Sequence, residues 1–257
     1  MAKSVTQAQK QETSRQLDMA TQPIKRLRMM LAAGEDVLEV FRVLTRTDDN
    51  VVGEVLRHQG TFYEWDHYPK GDVYDRKSHS QYFYHAHSIG GRNREHGHFH
   101  TFVRAKGMPR GTKPVNRPDR SQWPSGNDAL SHIVGISMDA KGLPIRLFTT
   151  NRWVTGEAWY KARDVIKMIG LYTIDHAQPS WPTNRWVSGM VRLFWPQIIL
   201  LIQARDLSVE AWEKQNPKQD VFEDRGLEIT SRADIDIDAQ IAAVKAAIAV
   251  KDNAKNA

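Results

Sequence analysis

Five histidines at alternating positions within sixteen residues are the side chains in this sequence best suited to carry chemistry. His85 and His87 are two residues apart, and His96, His98 and His100 repeat that spacing. Residues two apart on a β-strand lie on one face, so each set would present its imidazoles together. Because neutral imidazole is a common metal ligand and titrates near neutral pH, the pattern indicates a metal site or acid–base chemistry.

The histidines are predicted to lie on the two strands of a β-hairpin, 81–88 and 96–104, joined through a glycine-bearing connection. Two registers are compatible with this pattern. One sets His87 opposite His98 and His85 opposite His100, and the other sets His87 opposite His96 and His85 opposite His98. A one-residue slip would turn a whole face over. In both registers opposed Cβ atoms would be about 5 Å apart, close enough for the rings to converge on one ion.

A divalent transition metal, with zinc or iron the expected ion, is the cofactor that these residue types indicate. The expected ligands come from both strands: His85, His87, His98 and His100. Glu95 and His96, at the edge of the group, are the candidates for proton transfer. The alternative is a hydrogen-bonded face of imidazole and aromatic side chains that binds no metal and responds to pH.

The positive charge of the chain is concentrated beside this hairpin. The whole sequence carries a net charge of +6, with 36 basic and 30 acidic residues. Residues 91–120 contain eight basic and two acidic residues, which accounts for all of it. A local positive field attracts anions, so we expect Arg92 and Arg94 to hold a small anionic substrate. The basic loop, defined as residues 104–120, could equally dock on an acidic protein surface.

A short repeat supplies two further candidate arginines. Residues 150–156 read TNRWVTG and residues 183–189 read TNRWVSG. One interpretation makes Thr155 and Ser188 the N-caps of two helices. The other directs Arg152 and Arg185 at one anionic group, because a guanidinium fork suits carboxylate and phosphate.

The hydrophobic pattern predicts an α+β fold, with an antiparallel sheet of five or six strands and the N- and C-terminal helices packed on one face. We expect helices at 14–33 (ending at Gly34), 35–44, 156–169 and 189–204, the last bent at Pro196. We also expect a strand at 61–68 and a C-terminal helix marked by Ile237, Ile241, Val244 and Ile248. A single domain would span 14–250, between a flexible tail at 1–13 and frayed residues at 251–257.

Composition excludes several classes of protein. The chain has no cysteine, so disulfides, thiolate metal sites and cysteine nucleophiles are ruled out. The N-terminus has no apolar core typical of a signal peptide, and the strongest apolar run, 198–202, is too short to span a bilayer. We therefore expect a cytoplasmic protein without a membrane span.

Two segments resemble an uncharacterised family of bacterial proteins. The first comprises Tyr84-His85-Ala86-His87 together with Glu95-His96-Gly97-His98-Phe99-His100, and the second is 147–157, LFTTNRWVTGE. The resemblance covers the central third to half of the chain. It implies no activity, because none is known for that family.

Two functional hypotheses remain open from the sequence. The first is a metal-binding protein, and possibly a metal-dependent enzyme, that acts on a small anionic substrate at the histidine hairpin. The second is a non-catalytic accessory protein that docks through the basic loop. Nucleic-acid binding is less favoured, since the sequence has the charge but no recognisable reading element.

Overall fold

A six-stranded antiparallel sheet, in which the strand order equals the chain order, forms the centre of the protein. The computed structural model describes residues 17–86, 95–117 and 120–256. The strands are β1 (Tyr68–Tyr74), β2 (Ser80–His85), β3 (Gly97–Val103), β4 (Ser131–Met138), β5 (Pro144–Thr150) and β6 (Ile229–Asp234). Each pairs only with its neighbours in sequence, so the sheet is a meander with β1 and β6 at its edges.

Seven α-helices lie within the described residues and cover one face of this sheet. They are α1 (Ile24–Leu44), α2 (Val51–Leu56), α3 (Arg152–Thr155), α4 (Ala162–Ile169), α5 (Trp181–Leu193), α6 (Trp195–Gln215) and α7 (Ile237–Asn256). On the covered face, Trp186 of α5 packs against Phe99 of β3, and α6 contacts β4, β5 and β6. The α+β prediction, with six strands and both terminal helices present, is confirmed.

The N-terminal helix is one continuous element where the sequence predicted two. α1 runs through Gly34, which we expected to end a helix. A Cβ atom on Gly34 would lie 2.7 Å from Ile241 of α7 and 3.3 Å from Leu193 of α5. Gly34 therefore permits close approach of three helices rather than serving as a helix end.

The first strand begins later than expected. Residues 61–67 form no strand, and β1 starts at Tyr68. Gly71 and Asp72 lie at a bulge inside β1, where the pairing register shifts between Tyr68 and Val73. Gly71 and Asp72 have φ values of 86° and 59°, which the bulge requires.

The helical second half differs from the sequence prediction in its boundaries. The predicted helix at 189–204 is divided between α5 and α6, which meet at an angle of 72° before Pro196. No single described helix is long and apolar enough to cross a membrane, although this bent pair meets the length and composition criteria together. α7 continues beyond Val250 to Asn256, into the segment we expected to be frayed. The predicted tail at 1–13 lies outside the described residues.

Candidate metal centre

The pairing of β2 with β3 brings the histidines of both strands onto the sheet face opposite the helices. His85 is paired with His98, and Phe83 with His100. This is the second of the two registers that the sequence allowed. His87, the fourth predicted ligand, lies outside the described residues, as do Arg92 and Arg94.

Three imidazoles converge at this point of the sheet. His85, His98 and His100 each offer a ring nitrogen, and these three atoms lie within 4.8 Å of one another. The Nε2 atoms of His85 and His98 are only 2.7 Å apart and share a hydrogen bond. Nitrogens bound to one zinc ion at 2.0–2.1 Å in tetrahedral geometry would be about 3.3 Å apart. A small rotation of these rings would therefore admit an ion in place of the shared proton.

Two of the three rings are held by a partner at their other nitrogen. Glu95 Oε1 accepts a hydrogen bond from Nδ1 of His98 at 2.7 Å, and both side chains are almost fully buried, at 5% and 3% exposed. His100 Nδ1 is 3.0 Å from Nε2 of His132 on β4. Such contacts fix the ring orientation and tautomer of metal-binding histidines. Because Nδ1 of His98 donates to Glu95, Nε2 is the ring nitrogen of His98 that could coordinate an ion.

His100 carries a buried nitrogen that has no hydrogen-bond partner among the described residues. This atom is Nε2, the one not facing His132. Burial lowers the pKa of His100 well below its ordinary value, and the neighbouring imidazoles of His98, His132, His85 and His67 lower it further. His100 is therefore neutral at neutral pH. A buried polar atom without a partner is costly, and a bound metal ion would satisfy it.

Aromatic rings pack around the histidines, of which His98 and His100 are buried. The rings of Phe83 and Phe102 stack beside the cluster with centroids 5.5 Å apart. Phe148 of β5 makes edge contacts with His98 and His100, at 5.2 and 5.6 Å. It lies above Gly135, whose position has no room for a Cβ atom, because Phe148 would be 2.3 Å away.

Glu95 and His96, the predicted pair for proton transfer, face different partners. Glu95 bonds His98 inside the cluster. His96 is exposed, and its Nδ1 accepts a hydrogen bond of 2.6 Å from the hydroxyl of Tyr84, which belongs to the helix-covered face. The contact passes over Gly97, where a Cβ atom would lie 2.3 Å from that hydroxyl. The structure thus brings Glu95 to the histidine cluster and turns His96 away from it.

The two arginines of the repeat, Arg152 and Arg185, form ion pairs with two different carboxylates. Arg152 binds Glu223 at 2.7 Å and lies over the ring of Trp123. Arg185 binds Asp36 and lies over Trp181. The structure does not bring these guanidiniums to one shared group.

The predicted N-caps of the repeat are wrong. Thr155 is the last residue of α3, followed by Gly156 as its C-cap, and Ser188 lies inside α5. The same five-residue sequence starts a short helix in one copy and lies within a long helix in the other, because tertiary contacts override local preference.

His67 and His132 are two further histidines at the site, and only His67 was unexpected from the sequence. The ring of His67 stacks on Phe83 with centroids 3.6 Å apart and meets His85 edge-on at 5.7 Å. His132 contacts His100. His132 begins the strand after the hairpin, which was a usable signal. His67 comes from an irregular segment, and no periodicity marks it.

A buried carboxyl group lies behind His132. Oε2 of Glu157 accepts the backbone N–H of His132 at 2.6 Å. Burial raises the pKa of Glu157 to about 7, although Arg205 and Arg152 oppose the shift. Burial also lowers the pKa of His132 to about 3, with Arg205 contributing. At pH 7 His132 is therefore uncharged, and the Glu157 carboxyl is roughly half protonated.

Comparison with known proteins identifies a family whose function is not known. Residues 31–235 match the profile of a family described as a domain of unknown function, DUF6969. No characterised protein and no solved structure matches the chain significantly.

Proposed function

The chain belongs to the DUF6969 family, and because that membership assigns no activity, we propose a function from the site: the protein binds one divalent transition metal ion at His85, His98 and His100. The observation that carries this proposal is the buried Nε2 of His100, which has no hydrogen-bond partner within the described residues. His100 belongs to a cluster in which one ring nitrogen from each of three histidines lies within 4.8 Å of the other two.

Zinc or iron is the ion that we propose. Imidazole suits both, and the chain has no thiolate to select a softer ion. Glu95 supports zinc and iron alike, because a carboxylate on the far nitrogen of a ligating histidine makes it a stronger donor. His87 remains a predicted additional ligand, outside the described residues.

A metal with three protein ligands can activate a bound water or polarise a substrate oxygen. We therefore propose catalysis on a small anionic substrate as the function of the centre. His85, the least buried of the three ligands, marks the side from which substrate would enter. The positive charge of residues 91–120 would attract it. Arg92 and Arg94 remain the predicted substrate-binding residues, and Glu95 would position His98.

The test is metal analysis of the purified protein and of single variants. We expect about one zinc or iron ion per chain in the wild type, and loss of that ion in both H85A and H98A. His85 is partly exposed, so H85A is the variant expected to fold. H58N is the matched control: His58 is exposed, has a φ of 63° that asparagine tolerates, and lies outside the cluster.

Metal content that stays unchanged in folded H85A and H98A would refute the proposal. So would a wild-type protein that takes up no zinc or iron when both are supplied. Circular dichroism of each variant separates loss of the ligand from loss of the fold.

Docking through the basic loop is the second candidate function. Within residues 104–117 there is no acidic side chain, and Lys106, Arg110 and Lys113 are exposed. Arg104 and Arg117 are instead paired, with Asp128 and Glu213. Three exposed cations without a neighbouring acid in the described part of the loop would suit an acidic protein surface. Nucleic acid is a less favoured partner for the same surface.

A further inference from the structure

His67 lies at the solvent side of the histidine cluster. Its ring covers Phe83, with the planes only 9° from parallel. Phe83 in turn contacts both His85 and His100, with centroids 5.5 and 5.2 Å apart. The His67 side chain is 46% exposed. It is therefore a histidine next to two proposed ligands that has room to move.

Asp72 holds the far nitrogen of His67. Nδ1 of His67 is 3.1 Å from Oδ1 of Asp72. Oδ2 of Asp72 accepts a hydrogen bond of 2.7 Å from Gln81, whose oxygen is bonded by Arg104. The carboxylate is thus fixed by its own partners, at the bulge of β1, and it leaves Nε2 of His67 as the ring atom able to coordinate.

This pair repeats the arrangement of Glu95 with His98. In both, a carboxylate oxygen accepts from Nδ1 of a histidine at the cluster. Carboxylate partners of this kind are characteristic of histidines that bind metal ions. The repetition is an observation independent of the three-histidine geometry.

The charge of a bound divalent ion also favours a role for both carboxylate–histidine pairs, Glu95 with His98 and Asp72 with His67. Four neutral imidazoles contribute no charge, so a divalent cation beside Glu95 alone would leave one uncompensated positive charge near buried aromatic rings. Uncompensated charge in such surroundings is unfavourable. Asp72 adds a second negative charge, so that the two carboxylates together would balance the charge of a divalent ion.

We propose that His67 is the fourth protein ligand of the metal in the substrate-free protein. This inference rests on the proposed metal centre. His67 reaches the ion through Nε2 while Asp72 holds Nδ1. An anionic substrate then enters by displacing His67, the most exposed member of the group, and the three strand histidines keep the ion in place.

The experiment uses cobalt(II) as the probe ion in the full-length protein, because its visible spectrum reports ligand number. Wild type, H67A, D72N, H98A and the control H58N are loaded, and azide is added as a competing anion. We expect H67A to bind cobalt(II) at least about tenfold more weakly than wild type, and D72N to be weakened about 10- to 100-fold. Azide should shift the spectrum of H67A at concentrations that leave wild type and H58N unchanged.

Equal cobalt(II) affinity and the same azide response in wild type and H67A would overturn the role of His67 while leaving the metal centre intact. Cobalt(II) binding that persists unchanged in H98A would instead overturn both, because the ion would then be bound elsewhere. The two failures are therefore distinguishable. H67A is expected to fold, since the residue is half exposed and lies outside the strands.

Discussion

Glu157 is a single buried carboxyl group behind the centre, and burial raises its pKa. Its side chain is fully buried, and one oxygen accepts the amide of His132, which contacts His100. Burial raises the pKa of Glu157 from 4.5 to about 7. The native protein therefore holds a proton there that the unfolded chain releases at lower pH.

We predict that this proton makes stability fall as pH rises. The contribution of Glu157 is fully present below pH 4.5 and is lost as pH passes through about 7. Relative to E157Q, which keeps an acceptor for the amide of His132, the wild type should lose about 3 kcal/mol of unfolding free energy across this range. Urea denaturation of both proteins without metal, from pH 4.5 to 8, measures the difference. A constant difference at all pH values would show that Glu157 has an ordinary pKa.

Single residues also show what the sequence could predict about the site. His85, His98 and His100 were identifiable, because residues alternating on paired strands share a face. His67 was not, since an irregular segment carries no periodic signal and only the tertiary stack on Phe83 places it. His96 continued the alternating pattern, yet the missing side chain at Gly97 lets it turn to Tyr84.

Among the elements, β4 and β5 control how tightly the site is packed. Gly135 of β4 is paired with Phe148 of β5, and the Phe148 ring occupies the space above the glycine. From there it contacts His98 and His100. The position of two proposed ligands therefore depends on a glycine in the neighbouring strand.

We predict that G135A disturbs the metal centre as well as the fold. A Cβ atom would lie 2.3–2.7 Å from three atoms of the Phe148 ring, so the ring must shift and change its contacts with His98 and His100. Overpacking of this kind costs about 1–3 kcal/mol of unfolding free energy. Chemical denaturation gives that cost, and chelator competition gives the accompanying loss of metal affinity.

V37A is the matched control for G135A, because Val37 is fully buried in α1, away from the histidine face. It should destabilise the fold and leave metal affinity unchanged. If G135A and V37A affect metal binding equally, the effect comes from global stability and not from Phe148.

The elements themselves were predictable where one periodicity dominated. The C-terminal helix and the hairpin strands followed from clear patterns, and both are present. The apparent stop at Gly34 was misleading, because the glycine serves a contact with Ile241 that is 207 residues away in sequence. The bend at Pro196 was predictable from the proline itself, and the structure divides the chain there into α5 and α6 at an angle of 72°.

For the whole molecule, the α+β class could be predicted from the order of the helical and strand patterns along the sequence. Docking on a partner depends instead on the summed charge of the exposed side chains. If the basic loop binds an acidic partner, replacing Lys106, Arg110 and Lys113 by serine should abolish retention of that partner. Retention by the wild type should fall steeply with salt, because screening shortens the range of exposed charges to about 8 Å at physiological ionic strength. Capture of acidic proteins on the immobilised chain, at low and high salt, is the measurement.

The control replaces three exposed lysines elsewhere, Lys25, Lys141 and Lys218, and so removes the same charge. Equal loss in both triple variants would mean that net charge matters and the loop does not. Metal content should be unchanged in both.

The bulge of β1 has a further consequence, for contacts between molecules. β1 is an edge strand, and a regular edge exposes a row of N–H and C=O groups on which a strand of another chain can pair. Here Pro69 lacks an N–H, and the shifted register around Gly71 and Asp72 interrupts the row. The irregularity that sets Asp72 beside His67 therefore also makes this edge a poor template for aggregation.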